Sequence, residues 1–121
     1  MKNIIIILSF ILAASISQAQ EKKKNAKLSL EVNGVCNMCK KRIEKAALDT
    51  KGVKYANWNV NTHELVVIID ERKTDKNLVC QSMANAGHDT KITKASQEAY
   101  DNLHHCCKYR DEETINNHDV R

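Results

Sequence analysis

Cys36 and Cys39 are separated by two residues in the stretch Gly34-Val35-Cys36-Asn37-Met38-Cys39-Lys40-Lys41-Arg42. Thiols at this spacing can both point at one soft ion. Thiolate is a good ligand for Cu(I), Hg(II), Zn(II) and Cd(II) and a poor one for Mg(II) or Ca(II). The pair falls where a strand-like run, 26–32, gives way to a helix-like one, 37–49, which puts Cys39 in a first helical turn. Unsatisfied N–H groups and the helix macrodipole favour negative charge there, and cationic side chains follow at once, so the thiol pKa is expected to be lowered at Cys39. Two thiolates satisfy the nearly linear coordination of Cu(I) or Hg(II), whereas Zn(II) prefers four ligands. On two thiols alone, Cu(I) and Hg(II) rank ahead of Zn(II) and Cd(II).

Five cysteines is an odd count, so a framework of disulfides would leave one thiol over. The other three are Cys80 and the adjacent Cys106 and Cys107. Close-set pairs do little to staple distant parts of a chain, which favours ligand or redox use. Cys80 lies beside Val79 and Met83 and reads as a small core residue. His104-His105-Cys106-Cys107 puts four soft or borderline ligands in succession. This segment is expected either to fold back toward Cys36 and Cys39 and add ligands, or to be a tail whose cysteines pair with each other or with another chain. Met38, between the first two thiols, is expected to be exposed.

The elements that must position these groups follow from periodicity. Lys27-Leu28-Ser29-Leu30-Glu31-Val32 alternates as a half-buried strand does. Asn37 is a possible N-cap, Ile43, Ala46, Ala47 and Leu48 recur at helical spacing, and Gly52 ends the helix. Ala56, Trp58 and Val60 alternate with asparagines in a second strand, with Trp58 expected in the core. A tight turn at Asn61-Thr62 leads into a third, in which Leu65, Val67 and Ile69 face inward. Thr74 and Asp75 start a second helix with Leu78, Val79 and Met83 as its buried stripe and Gly87 as its stop. A short last strand is expected over 90–93. The order strand, helix, strand, strand, helix, strand is the α+β ferredoxin-like βαββαβ arrangement. After Ala95, Ser96 can cap a short helix carrying Ala99 and Leu103. Residues 111–121 are polar and read as disordered.

The Cys-x-x-Cys after a first strand, the apolar helix behind it and the later Ala86-Gly87-His88-Asp89 resemble the heavy-metal-associated domain over roughly residues 26–95. That family includes copper chaperones, modules of copper-transporting ATPases and periplasmic mercury-binding proteins. Its motif usually reads Gly-Met-Thr-Cys-x-x-Cys, where this chain has Asn33-Gly34-Val35-Cys36. The resemblance implies the same ferredoxin-like fold and a site at Cys36 and Cys39. Relatives that handle Zn(II) often carry an acidic residue where this chain has Val35, which cannot coordinate. In some relatives a histidine at the position of His88 is a third ligand; the alternative for His88 is an ordinary surface loop residue.

At the start of the chain, Lys2 precedes an apolar run over 4–14 and then small residues at Ser17 and Ala19, the pattern of a secretory signal peptide cut after Ala19. The run is well short of the ~20 residues needed to span a bilayer. Residues 1–19 are thus read as signal peptide, 20–25 as linker, 26–95 as the metal-binding domain and 96–121 as a C-terminal extension. About a hundred residues after cleavage make one small domain. Its place would be the periplasm. The formal charge of +4 is mildly basic. Lys40, Lys41, Arg42 and Lys45 are read as solvated surface or as a docking face for an acidic partner. Nucleic acid is excluded as a partner by export, few aromatics and the lack of a recognition motif.

The functional expectation is an exported, non-enzymatic protein that takes up Cu(I) or Hg(II) through Cys36 and Cys39 and passes it to a membrane transporter or efflux component. A thiol–disulfide oxidoreductase using the same pair is the enzymatic alternative. A thioredoxin-like site, however, needs a cis-proline facing the thiols, and this chain has no proline. Passive sequestration, a local disulfide and a zinc ribbon complete the alternatives. The ribbon would need a second spaced pair, and Cys106-Cys107 is adjacent.

Overall fold

Leu65, Val67 and Ile69 alternate with less buried neighbours along β3 (Glu64–Ile69), and this strand sits at the centre of the sheet. The computed structural model describes residues 21–119; the expected signal peptide lies outside them. β1 (Ala26–Glu31) and β2 (Val53–Trp58) flank β3, both antiparallel to it. Helix α1 (Asn37–Asp49) follows β1 and helix α2 (Lys76–Asn85) follows β3, giving the expected ferredoxin-like α+β architecture.

Buried residues of the two helices, Cys39, Ile43, Ala47, Val79, Cys80 and Met83, join Leu30, Trp58, Leu65, Val67 and Ile69 in one core. Trp58 is fully buried and donates its indole N–H to the carbonyl of Val32 at 3.0 Å, which satisfies its single polar group. Two positions expected in the core are not there: Leu48 and Leu78 are about half exposed, at 50% and 51%. The buried face of α1 runs through Cys39, Ile43 and Ala47, four residues apart, and Leu48 lies one residue off that line. In α2 the stripe is Val79, Cys80, Met83 and Ala84, one residue past Leu78.

Two connections also differ in detail. The β2–β3 turn is longer than an Asn61-Thr62 pair. The Asn59 side chain accepts from the N–H groups of Asn61 and Thr62, and His63 adopts φ 61°. The fourth strand is reduced to one antiparallel bridge, Val32 with Thr90, on the free edge of β1. Side chains take the hydrogen bonds a ladder would need: Thr90 Oγ1 accepts from Ile92 and Thr93, and Asp89 accepts from Ala95. Such local side-chain acceptors compete directly with strand pairing.

The segment after Ala95 is part of the same body. It forms α3 (Gln97–Asp101), a 3-10 turn (His105–Cys107) and α4 (Glu112–Asp119). Ser96 caps α3 through Ala99 N–H at 3.1 Å, as expected, whereas α4 occupies residues expected to be disordered. Tyr100, Leu103, Cys107 and Tyr109 enter the core. Gly87, at φ +99°, makes the close approach possible: a Cβ there would lie 2.8 Å from the Ala99 carbonyl oxygen and 2.9 Å from Leu103 Cδ2. Tyr109 O–H donates to the Gly87 carbonyl at 2.7 Å and accepts from Asp89 N–H at 2.9 Å.

Candidate metal centre

Cys36 is the N-cap of α1 and Asn37 its first residue; the cap has no side-chain hydrogen bond. Cys39 therefore lies in the first turn, with its side chain fully buried, while Cys36 is half-buried. The loop before them is tight. A Cβ on Gly34 would meet two carbons of the Trp58 ring at 3.0 Å and Cys39 Cβ at 3.1 Å, so Trp58 forms the floor on which the loop rests.

The return of the C-terminal segment brings Cys106 and Cys107 to this loop. Cys36 Sγ lies 3.3 Å from Cys39 Sγ, 3.2 Å from Cys106 Sγ and 3.3 Å from Cys107 Sγ. Cys106 and Cys107 are 3.9 Å apart. The sulfurs of Cys36, Cys106 and Cys107 lie within 4.8 Å of one another, the arrangement of a group able to hold an ion. Cys39 lies outside this group of three and adjoins it through Cys36. Met38 is exposed, and its sulfur accepts from Cys106 at 3.4 Å. All five cysteines are free, and Cys80 sits in the core away from this group.

The thiols do not share one acidity. The Cys39 thiol is lowered to about 5, first because Cys107 donates to its sulfur, then through backbone N–H groups of the loop, against the opposing cost of burial. Cys36 moves the other way, up to about 11, through burial and then its contact with Cys106. Cys107 is also raised, chiefly as the donor to Cys39. The lowering expected at Cys39 is thus present, while Cys36 shifts the opposite way. Neighbouring thiols accommodate one negative charge by hydrogen bonding to it, and a second meets the repulsion of the first. A soft cation supplies the missing positive charge and displaces the remaining protons.

The three histidine candidates do not join the sulfurs. His104 and His105 are exposed, with their rings against each other at 5.8 Å. The 3-10 turn puts them on the outward side and sends the cysteines inward. His88 is no surface residue, since it is fully buried. Its Nδ1–H donates to the Asn33 carbonyl at 2.8 Å and its ring stacks on Tyr109 with centroids 5.6 Å apart. Nε2 has no hydrogen-bond partner among the described residues. Burial lowers the basicity of the ring, so it is a neutral imidazole that ties the loop before Cys36 to the loop after α2.

Charge around the site is positive on one side. Lys41, Arg42 and Lys45 line a groove with Met38, Ala46, Ala86 and Asp49, in which Lys45 is paired with Asp49 at 2.7 Å. Lys40 is engaged instead in structure, donating to Glu44 and to the Trp58 carbonyl, both at 2.9 Å.

Among solved structures, a CopZ metallochaperone is 26% identical with a TM-score of 0.52, over 54% of this chain and 98% of that one. The water-soluble region of the P-type ATPase CopA from Bacillus subtilis is 26% identical with a TM-score of 0.52, over 59% of this chain and 47% of that one. A putative copper-ion-binding protein from Bacillus anthracis, 22% identical with a TM-score of 0.52 over 55% of this chain and 96% of that one, shares the fold. A comparison with curated proteins finds no match. The model of the heavy-metal-associated domain matches residues 29–89, a span that holds both Cys36 and Cys39 and exceeds half of the 121 residues, and the chain belongs to that family.

Proposed function

We propose that this protein is an exported carrier of a soft metal ion, Cu(I) or Hg(II), which it captures through Cys36 and Cys39 and hands to a membrane transporter or efflux component. The observation that carries the reading is the contact of Cys36 and Cys39, 3.3 Å apart at the start of α1, with the Cys39 thiol lowered to about 5. A thiolate is thus ready at neutral pH on a loop whose other sulfur is half-exposed. Similar solved structures include a metallochaperone and a soluble region of a P-type ATPase, which supports an ATPase-type acceptor. Export to the periplasm rests on the signal-like pattern of residues 1–19. Among the described residues no helix is long and apolar enough to cross a membrane.

Transfer proceeds by ligand exchange. A thiolate of the acceptor adds to the bound ion, a further-coordinated intermediate forms, and one local sulfur leaves and regains a proton from solvent. No oxidation state changes. Lys41 and Arg42, in the groove beside Met38, orient an acidic acceptor face, with electrostatics acting chiefly on encounter and register. No acid/base or nucleophilic constellation beyond the thiols is needed, and the protein acts as a carrier, not an enzyme.

The test is anaerobic titration of the reduced protein with Cu(I) against a competing chromophoric chelator. One tightly bound equivalent is expected, and loss of that equivalent in Cys36→Ser/Cys39→Ser. Unchanged affinity in the double variant would remove this pair from the capture role. Delivery is tested by transfer to an isolated acceptor domain, which must outpace spontaneous release.

A further inference from the structure

We propose that Cys106 and Cys107 complete the Cys36/Cys39 pair to a four-thiolate site, which extends the range of ions held to tetrahedral, thiophilic divalent cations of the Zn(II) and Cd(II) class. The inference rests on the capture reading above and adds to it the coordination number and the ion class. It overturns the ranking that two thiols alone imply, because the objection to Zn(II) was a shortage of ligands.

Geometry carries the argument. An ion with bonds of about 2.3 Å to four sulfurs in a tetrahedron holds them roughly 3.8 Å apart, whereas a linear ion holds two sulfurs about 4.6 Å apart. Cys39 stands outside the three sulfurs that all lie within 4.8 Å of one another and must draw nearer to the Cys106/Cys107 pair; the four short separations are 3.2, 3.3, 3.3 and 3.9 Å. They need only a small expansion to reach the tetrahedral spacing and a much larger one to reach the linear spacing. Cys36 touches the other three sulfurs, so its small outward movement opens space for an ion among all four.

The two tail sulfurs are also held in place. Cys107 is fully buried within the domain core, and Tyr109 and Arg110 directly after it bond to Gly87, Asp89 and Ala95. Four thiols brought together by contacts 70 and 71 residues apart in sequence are not an accident of local chain direction. Metal entry is balanced by proton loss: four S–M bonds form, and each sulfur still protonated gives its proton to water or buffer.

Cd(II) titration of the reduced full chain tests this, read by sulfur-to-cadmium charge-transfer absorbance, whose intensity per ion rises with the number of thiolates. Four thiolates per Cd(II) are expected in the wild type. In Cys106→Ser/Cys107→Ser the intensity per ion should fall to about half and the affinity by at least about tenfold. Cys106→Ser alone, at the half-exposed position, should remove one thiolate without disturbing the core, and keeps the test valid if the double variant folds poorly. Cys80→Ala, away from the sulfur group, should leave the intensity per ion unchanged. Equal intensity and affinity in wild type and Cys106→Ser would overturn the inference. Cu(I) binding by the tail variants, with no Cys106 or Cys107 dependence in Cd(II), would leave the capture reading intact and remove only the four-thiolate site. Failure of the wild type to bind Cu(I) or Hg(II) would remove the capture reading itself.

Discussion

Arg110 and Asp89 meet through Nη2 and Oδ1 at 2.8 Å, with a second contact from Nε to Oδ2 at 3.2 Å. Arg110 Nη2 also donates to the Ala95 carbonyl at 3.0 Å, and its guanidinium lies 4.4 Å from the centroid of the Tyr100 ring. The pair fastens the C-terminal segment to the loop after α2, three residues beyond Cys107. It is the latch that decides where the tail sulfurs lie, although it touches none of them.

Arg110→Gln should therefore loosen the tail. The loss of a paired, partly buried charge contact is expected to cost about 1–3 kcal/mol, read from urea denaturation of the reduced, metal-free protein. The same variant should weaken Cd(II) binding in the full chain more than it weakens Cu(I) capture by Cys36 and Cys39. Equal stability in wild type and variant would show that the core contacts of Leu103 and Tyr109 suffice without the latch.

Gly34 is expected to tolerate no larger residue. A Cβ there would sit 3.0 Å from the Trp58 ring and 3.1 Å from Cys39 Cβ, so either the indole or the loop must shift. Gly34→Val should lower stability by about 1–3 kcal/mol through overpacking and change the emission of Trp58, the chain's single tryptophan. Wild-type emission and an unaltered melting temperature would contradict the packing.

Acidity of the thiols predicts a two-step titration. In the reduced, metal-free protein one thiolate should form around pH 5, from Cys39, and Cys36 only near 11. Thiolate absorbance against pH checks this, and the low step should vanish in Cys39→Ser. For stability, the folded Cys39 is more acidic than an ordinary thiol at 9.0. Between about pH 5 and 9 the unfolded chain binds more protons at this site, so stability rises with pH across that window and the contribution is lost as pH falls through 5. Cys36 acts in the opposite sense above 9, where the folded state holds the extra proton. A single transition of all thiols in the ordinary thiol range would refute the shared-charge arrangement.

His88→Phe should keep the packing and the stack on Tyr109 but leave the Asn33 carbonyl without its donor. A buried acceptor deprived of its partner costs about 1–3 kcal/mol. If His88 is only a tie between loops, Cd(II) charge-transfer intensity per ion should be unchanged in this variant. A drop of intensity or affinity greater than the loss of stability explains would make His88 part of the metal site.

Most of the scaffold was legible from periodicity. Alternation in 27–32 and 65–69 marked β1 and β3, because one face of each strand is buried. The capping geometry of Asp75 and Ser96, whose side chains accept from Leu78 and Ala99 N–H, is a local effect written in adjacent residues. Leu48 and Leu78 satisfy the composition of a buried stripe but not its direction, lying one residue off it. Thr90 and Thr93 have strand propensity, but the Thr90 hydroxyl accepts from Ile92 and Thr93 N–H and the Thr93 hydroxyl donates to the Cys80 carbonyl, so the fourth strand shrinks to one bridge. Helix α4 carries little apolar pattern to mark it in the sequence.

By itself the sequence determined the chemistry of the first pair: two thiols at a spacing of three, at the start of a helix, are local facts that chain geometry alone can realise. It also determined that the cysteine count is odd and that Cys106 and Cys107 carry ligands of the same softness. What only the tertiary structure decided is the company those sulfurs keep. Whether Cys107 lies in the core or in solvent depends on Gly87 lacking a Cβ, on Tyr109 reaching the Gly87 carbonyl and on Arg110 finding Asp89. Each is a contact between segments far apart in the chain, and its energy is realised only when the others are already in place. The same holds for the acidity of Cys39: a helix start predicts its direction, but the donor that dominates it is Cys107, 68 residues away in sequence.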